Sequence, residues 1–401
     1  MAIELAQFFP SWRNEAQYEP LPAQGHGRSG ARDAARRRQL LSLIILGGVI
    51  LIAVGMAIPK LVGSWFRPPP WGPLEDFQNL NTIPLLNKPY YADPSKHAIV
   101  SSLYSDSYAI AVAVLAHSAR QANTSARLIL TYPEFTKRVS PAALCVARAS
   151  GWELHPVPLI PAPNGGHGVY HRFLETFTKL QIWGFDAPDV GVEQVVYLDA
   201  DTLVRRNFDE LFALPWGLGA VPDVYANHKG FALSFNSGVL SLRTSSAALE
   251  EMRLVLDVLA AEGGREHGHR HGHDAVQLGE ADQSFLNAYY GANVVRLPYV
   301  YNANLAIKER SPELWEAMVM HDEMRVVHYT LVKPFVDVAK VDAERGDESQ
   351  LKVVLGEQLK RINENAKRER GGIFRNEMGW WWDAYESMMS ERGSEIRQCL
   401  R

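Results

Sequence analysis

Apolar runs of strand length alternate along the middle of the chain with longer stretches of helical period. His97-Ala98-Ile99-Val100-Ser101-Ser102-Leu103 predicts a first strand, and Tyr108 to Gln121 places its apolar residues as a helix does. Arg127-Leu128-Ile129-Leu130-Thr131 predicts a second strand and Leu144 to Ser150 a helix. Trp152-Glu153-Leu154-His155-Pro156-Val157 fits a third strand, and Arg172 to Phe185 a further helix. The run Val195-Val196-Tyr197-Leu198-Asp199-Ala200-Asp201-Thr202-Leu203-Val204 is apolar, β-branched and aromatic, so it reads as one buried strand. Strands and helices in alternation predict an α/β fold with a largely parallel sheet.

Leu40 to Ile58 is different in kind: 19 residues without a charge, with Ser42 the one polar side chain. At about 1.5 Å per residue it nearly matches a hydrocarbon core of roughly 30 Å. A buried core helix is the alternative, but no helical face is polar. Arg28, Arg32, Arg36, Arg37 and Arg38 precede the run with Asp33 the only acid nearby, and Lys60 and Arg67 follow it. This asymmetry predicts a cytosolic N-terminus and a lumenal or external body. The charged region is too long for a cleaved signal peptide. The expected organisation is a disordered cytosolic tail (1–39), a single transmembrane anchor (40–58), a proline-rich stem (59–95), a main domain (96–340) and a C-terminal helical extension (341–401).

Three further segments stand out. His267, His269, His271 and His273 lie among glycines in an insert at 262–280, which reads as a mobile surface loop, with adventitious metal binding as the alternative. Residues 345–370 are highly charged, helical in pattern and expected to be exposed. Trp380, Trp381, Trp382 and Tyr385 read as packing residues rather than a binding platform.

With 401 residues, 47% of them apolar, the chain has room for one large or two medium domains and a substantial core. A net charge of −4 calls for no nucleic-acid partner. Cys145 and Cys399 are the only cysteines. They could form one disulfide, but two thiols make no framework and barely constrain the redox compartment.

Chemistry enters with Asp199 and Asp201 at the end of the predicted central strand. Ligands of open α/β sheets bind at the carboxyl ends of strands. Residues i and i+2 of an extended segment point to one side, so the two carboxylates can face one hard divalent cation. A cation there is well placed to take a diphosphate. The company these residues keep is more specific. Thr178-Lys179-Leu180 precedes them. Phe235-Asn236-Ser237-Gly238-Val239-Leu240, Asp282-Gln283-Ser284-Phe285-Leu286-Asn287, Tyr301-Asn302 and His328-Tyr329-Thr330-Leu331-Val332-Lys333-Pro334-Phe335 follow.

This ordered set resembles glycosyltransferase family 8, the glycogenin-like family of GT-A enzymes, in a membrane-anchored, fungal-type form. The resemblance spans about residues 97–340. It implies a GT-A fold (Rossmann-like, of the nucleotide-diphospho-sugar transferase kind), here behind a single N-terminal transmembrane helix. It also implies manganese or another divalent cation, a UDP-sugar donor and retention of anomeric configuration. Carried onto this chain, it makes Asp199, Asp201 and His328 the metal ligands. Lys333 and Lys179 would lie near the diphosphate. Asn236, Ser237, Gly238, Asp282 and Gln283 would lie near the sugar, with Asp282, Gln283 and Lys179 as catalytic candidates. Ser102, Leu103 and Tyr108 fall where members hold uridine. Asp282-Gln283 as a helix cap and Asn236-Ser237-Gly238 as a turn are the plain alternatives. The segment departs from the His-x-x-Gly-x-Lys-Pro-Trp form of many members: Leu331 stands in the place of glycine and Phe335 in that of Trp.

The expected function is a retaining transferase of the Golgi or another secretory-pathway membrane. It would move a hexose or N-acetylhexosamine to a glycan, glycoprotein or glycolipid acceptor, with homodimerisation left open. The alternatives are a self-glucosylating, glycogenin-like primer and an anchored nucleotide-sugar-binding protein without catalysis.

Overall fold

The computed structural model describes residues 90–134, 138–167, 169, 173–224, 231–263, 278–337 and 352–401. The expected tail, the anchor, nearly all of the stem and the four insert histidines lie outside these residues. Among the described residues, no helix is long and apolar enough to cross a membrane.

The first half of the chain follows the alternating pattern. β1 (His97–Ser102) pairs in parallel with β2 (Arg127–Pro133) and β4 (Gln194–Leu198), and β2 with β3 (Glu153–Val157). Helices α1 (Ala109–Gln121) and α2 (Pro141–Ala149) make the first two crossovers. Ser140 caps α2 by accepting from the Ala143 N–H at 3.2 Å, and Pro141 occupies the first turn, where a missing N–H costs nothing. The central strands bury both faces. Ile99, Val196 and Leu198 join the core beneath α1 and α2, whereas Ala98, Val100, Val195 and Tyr197 join the core on the other side. Alternation at period two is what divides them.

The sheet is mixed rather than largely parallel. Its order is β3-β2-β1-β4-β7-β6-β8, with β6 (Leu218–Val224), β7 (Phe231–Arg243) and β8 (Val295–Arg296). β7 runs antiparallel to both β4 and β6. An apolar run carries no mark of strand direction, so this reversal was invisible in the pattern. The predicted helix at Arg172–Phe185 is instead a 3₁₀ segment, Thr176–Asp186. Phe177 through Phe185 are buried apart from Gly184 at half-burial, so the segment has no polar face of the kind an amphipathic helix presents.

The central run also breaks. β4 ends at Leu198, and Thr202–Val204 forms β5 in a second sheet with order β5-β10-β9, where β9 is Ala303–Asn304 and β10 is Val326–His328. The Thr202 N–H and hydroxyl both donate to the Asp199 carbonyl, at 3.1 and 2.8 Å, and close a tight turn. Asp199 and Asp201 therefore sit in a turn between sheets, not on an extended strand.

Beyond this lie α3 (Ser246–Gly263), α4 (Asp282–Tyr290), α5 (Leu305–Arg310) and α6 (Pro312–Met320), and then α7 (Gly356–Ala366) and α8 (Arg375–Gln398). The charged stretch is not wholly exposed: Leu359, Asn363 and Ala366 of α7 are buried at helical spacing. Trp381 and Tyr385 are buried packing residues, while Trp380 is half-buried with the Arg205 guanidinium 3.8 Å above its ring. Glu377 of α8 is buried against Lys308 Nζ at 2.7 Å and Trp315 Nε1 at 3.1 Å. Cys145 and Cys399 pair, with Cα atoms 5.5 Å apart, and fasten the end of α8 to α2.

That bond closes a loop of 254 residues, so it removes much freedom from the unfolded chain. Cys145→Ser should lower unfolding free energy by about 3 kcal/mol. Denaturant unfolding with and without a thiol reductant checks this: the parent should lose stability on reduction and the variant should not respond.

Candidate functional site

The turn between the two sheets fixes both carboxylates by their backbones. The Asp199 N–H donates to the Gly238 carbonyl at 2.8 Å, which ties it to β7. The Asp201 carbonyl accepts from the Tyr329 N–H at 2.9 Å, which ties it to the residue after β10. His328 closes β10, so its Nε2 comes within 3.3 Å of Asp201 Oδ1 and 3.8 Å of Asp199 Oδ2. The ligand atoms of the three residues lie within 4.8 Å of one another and could hold a metal ion.

The surroundings of His328 test that fit. Its Nδ1 lies 3.0 Å from Asn302 Oδ1. Asn302 Nδ2 donates to Asn236 Oδ1 at 2.9 Å, so the Asn302 oxygen faces the ring and accepts from Nδ1–H. In the neutral ring Nε2 then presents a lone pair to two carboxylate oxygens. Three acceptors facing one another call for a cation between them, and two oxygens with one imidazole nitrogen suit a first-row divalent ion. Gly238 is part of this arrangement. A Cβ there would collide with His328 Cε1 and lie 2.6 Å from Nδ1. Asn236-Ser237-Gly238 is therefore no turn: it is the interior of β7, and glycine gives the ring its space.

Two lysines, Lys179 buried and Lys333 half-buried, complete the cluster. Lys179 Nζ lies 3.2 Å from Asp199 Oδ1 and 2.7 Å from Asp282 Oδ2, donates to the Ser237 carbonyl at 3.2 Å, and sits 4.6 Å from the centre of the Tyr197 ring. Lys333 Nζ donates to Asp201 Oδ2 and to the Tyr329 carbonyl. Each metal-facing carboxylate thus gives one oxygen to an ammonium and turns the other toward the imidazole. Burial works against the charge on Lys179, but Asp199 and Asp282 outweigh it and hold its pKa above the ordinary value. Burial likewise opposes Lys333, and Asp201 overrides it. Burial would raise the Asp201 carboxyl, but the Lys333 ammonium holds it well below the usual carboxylate range.

Of the residues expected near a sugar, Asp282 and Gln283 open α4, entered through Ala281 at φ 48°, a strained conformation for alanine. Neither is the N-cap; that position is Ala281, which has no capping side chain. Ser237 Oγ donates to Asp282 Oδ2 at 2.9 Å. Gln283 Oε1 accepts from Asn236 Nδ2 and the Ser237 N–H, both at 3.0 Å, and its Nε2 donates to Asp223 Oδ2 at 3.0 Å. Asp223 was missed in the sequence. It lies buried in β6, and burial pushes its carboxyl up despite donors at Val224, Asn236 and Gln283. Its one sequence signal was a lone acid within the apolar run Leu218–Val224.

The uridine candidates are more dispersed. Ser102 Oγ hydrogen-bonds Thr131 Oγ1 at 2.7 Å, and Leu103 is sealed in the core. Tyr108 is half-buried and meets the Phe335 ring edge-on at 5.2 Å, beside Lys333. The structure brings together Lys179, Asp199, Asp201, Asn236, Ser237, Gly238, Asp282, Gln283, His328 and Lys333. It does not bring the Leu103 side chain to them.

Residues 173–338 match the sequence profile of a family described as Glycosyl transferase family 8. Over 274 residues the chain is 29% identical to inositol phosphorylceramide glucuronosyltransferase 1 of Arabidopsis thaliana, covering 62% of this chain and 44% of that protein. It is also 29% identical to glycogenin-1 of Oryctolagus cuniculus over 214 residues, covering 51% of this chain and 55% of that protein. The chain thus spans about half the length of these curated relatives. The solved galactosyltransferase LgtC, in complex with donor and acceptor sugar analogues, aligns with 66% of this chain and 99% of its own at 20% identity, with a TM-score of 0.41. The two carboxylates, the imidazole and both lysines of the cluster all lie within the segment that matches the profile of glycosyl transferase family 8.

Proposed function

We propose that this chain is a retaining, manganese-dependent glycosyltransferase of GT-A architecture that moves a hexose, hexuronic acid or N-acetylhexosamine from a UDP-sugar to a glycan, glycoprotein or glycolipid. The observation that carries the reading is the convergence of Asp199, Asp201 and His328 with an ammonium on each carboxylate. A divalent ion held by those three residues supplies positive charge opposite the donor's diphosphate. Lys179 and Lys333 keep their own charge and neutralise what grows on the departing UDP. Three carboxylates and two ammonium groups sum to one negative charge in excess, and a divalent ion reverses that sign. The charged site then suits an anionic donor.

Asn236, Gln283, Asp282 and Asp223 offer hydrogen bonds to sugar hydroxyls. Asp282 already pairs with Lys179 and accepts from Ser237, which dulls it as a nucleophile. That favours attack on the front face of the sugar, with the leaving diphosphate helping to deprotonate the acceptor. Similar plant proteins are named as glucuronosyltransferases, so UDP-glucuronate belongs in the donor screen. The match to glycogenin-1 supports a second reading, a self-glucosylating primer. Sugar appearing on a tyrosine of the chain itself would favour it over transfer to an added acceptor. The Cys145–Cys399 pair suits an oxidising compartment and supports a lumenal domain of a Golgi or other secretory-pathway membrane, anchored through 40–58. Protease protection in sealed vesicles tests that placement.

Asp201→Ala should cut transfer by ~10³-fold, the scale of losing one charge-stabilising group, while far-UV circular dichroism stays unchanged. UDP release from a panel of UDP-sugars, with manganese or with a chelator, is the measurement; release under no condition rejects the enzyme reading. Gly238→Ala should crowd the His328 ring and weaken manganese binding by ~10-fold, as losses of ligand-orienting contacts do. Titration calorimetry with manganese alone reads that effect.

A further inference from the structure

The strap from His328 to Phe335 carries the imidazole and Lys333, yet it has little regular structure of its own after β10. Besides the Tyr329 N–H on Asp201 and Phe335 against Tyr108, it is held by α7 and α8, which lie beyond the segment matched to family 8. Three contacts bracket Lys333. On one side, the Tyr329 hydroxyl donates to the Glu377 carbonyl at 2.8 Å, and the Tyr329 carbonyl in turn accepts from Lys333 Nζ. Next to the lysine, the Pro334 carbonyl accepts from Asn363 Nδ2 at 3.4 Å. Beyond that, the Phe335 ring packs against Trp381 at 5.7 Å. α8 is itself fastened to α2 through Cys145–Cys399.

Asn363 is the informative member. It is 1% exposed, and its Nδ2 bridges the Pro334 carbonyl and the Met378 carbonyl of α8 (3.2 Å). Its Oδ1 has no partner among the described residues. An unsatisfied buried oxygen costs free energy, and leucine of similar size would avoid that cost if the position served packing alone. The donor side of the amide is what the position uses.

We propose that Asn363 and Trp381 are positioning residues: through Pro334 and Phe335 they set the place of the Lys333 ammonium beside Asp201. The proposal rests on the reading of Lys333 as a cation facing the diphosphate.

A double-mutant cycle tests it on the full chain. Asn363→Leu and, as a gentler perturbation, Trp381→Phe are each made alone and with Lys333→Met. UDP affinity is measured by calorimetry at saturating manganese, and thermal midpoints are recorded. Lys333→Met should weaken UDP by on the order of a hundredfold, as truncating a buried charged contact does. Asn363→Leu should leave the thermal midpoint near that of the parent and weaken UDP about fivefold, the scale of one hydrogen bond. With Met at 333 that fivefold effect should vanish, because the residue acts through the ammonium. An equal loss with and without Lys333, or no loss from either brace variant, overturns the brace. Unchanged UDP affinity in Lys333→Met overturns the role of the lysine instead, and the brace with it.

Discussion

Two hydrogen bonds onto one carbonyl, that of Asp199, hold the site in place. They stop β4 and send the chain from the large sheet to the small one. Asp199 stays on the ladder of β7, Asp201 docks on the residue after β10, and His328 ends β10 directly between them. A chain that had run on as one strand would have kept both acids on the large sheet, away from the strand that delivers the imidazole. The turn thus turns a sequence separation of more than a hundred residues into a contact of 3.3 Å.

Burying so many charges is costly, and it is tolerated because every one has a defined counterpart. Lys179 joins Asp199 to Asp282, and Lys333 holds Asp201. Buried pairs of this kind rarely add net stability, since desolvation offsets much of the attraction. A neutral, well-packed alternative would fold at least as well. The cluster therefore makes sense as a device for handling charge. The hydrogen-bond network of Asn302, Asn236, Gln283 and Asp223 has a complementary part: it fixes orientation, down to which nitrogen of His328 carries its proton.

Where the sequence misled, the cause was physical in each case. The run Val195–Val204 is apolar apart from Asp199, Asp201 and Thr202, and apolarity reports burial without reporting which sheet does the burying. Asn236-Ser237-Gly238 has the composition of a turn, yet it lies within β7, because the glycine answers to the His328 ring rather than to a bend. Asp223 gave only one acid in an apolar strand, and its importance comes from donors on β7 and α4. The packing of α7 and α8 beneath the Lys333 strap had no local signal beyond helical period.

What residue order alone established was local and chemical. Hydrophobic spacing located β1 to β4 and the helices α1 and α2, and the ordered motifs singled out the carboxylates, the histidine and the lysines. Distances between those groups were beyond it. Side-chain periodicity reports which face a residue takes within its own element, whereas convergence depends on how separate elements stack. The reversed direction of β7, the step between two sheets, the tautomer imposed on His328 and the bracing of Lys333 by the terminal helices all arise from contacts between residues far apart in the chain.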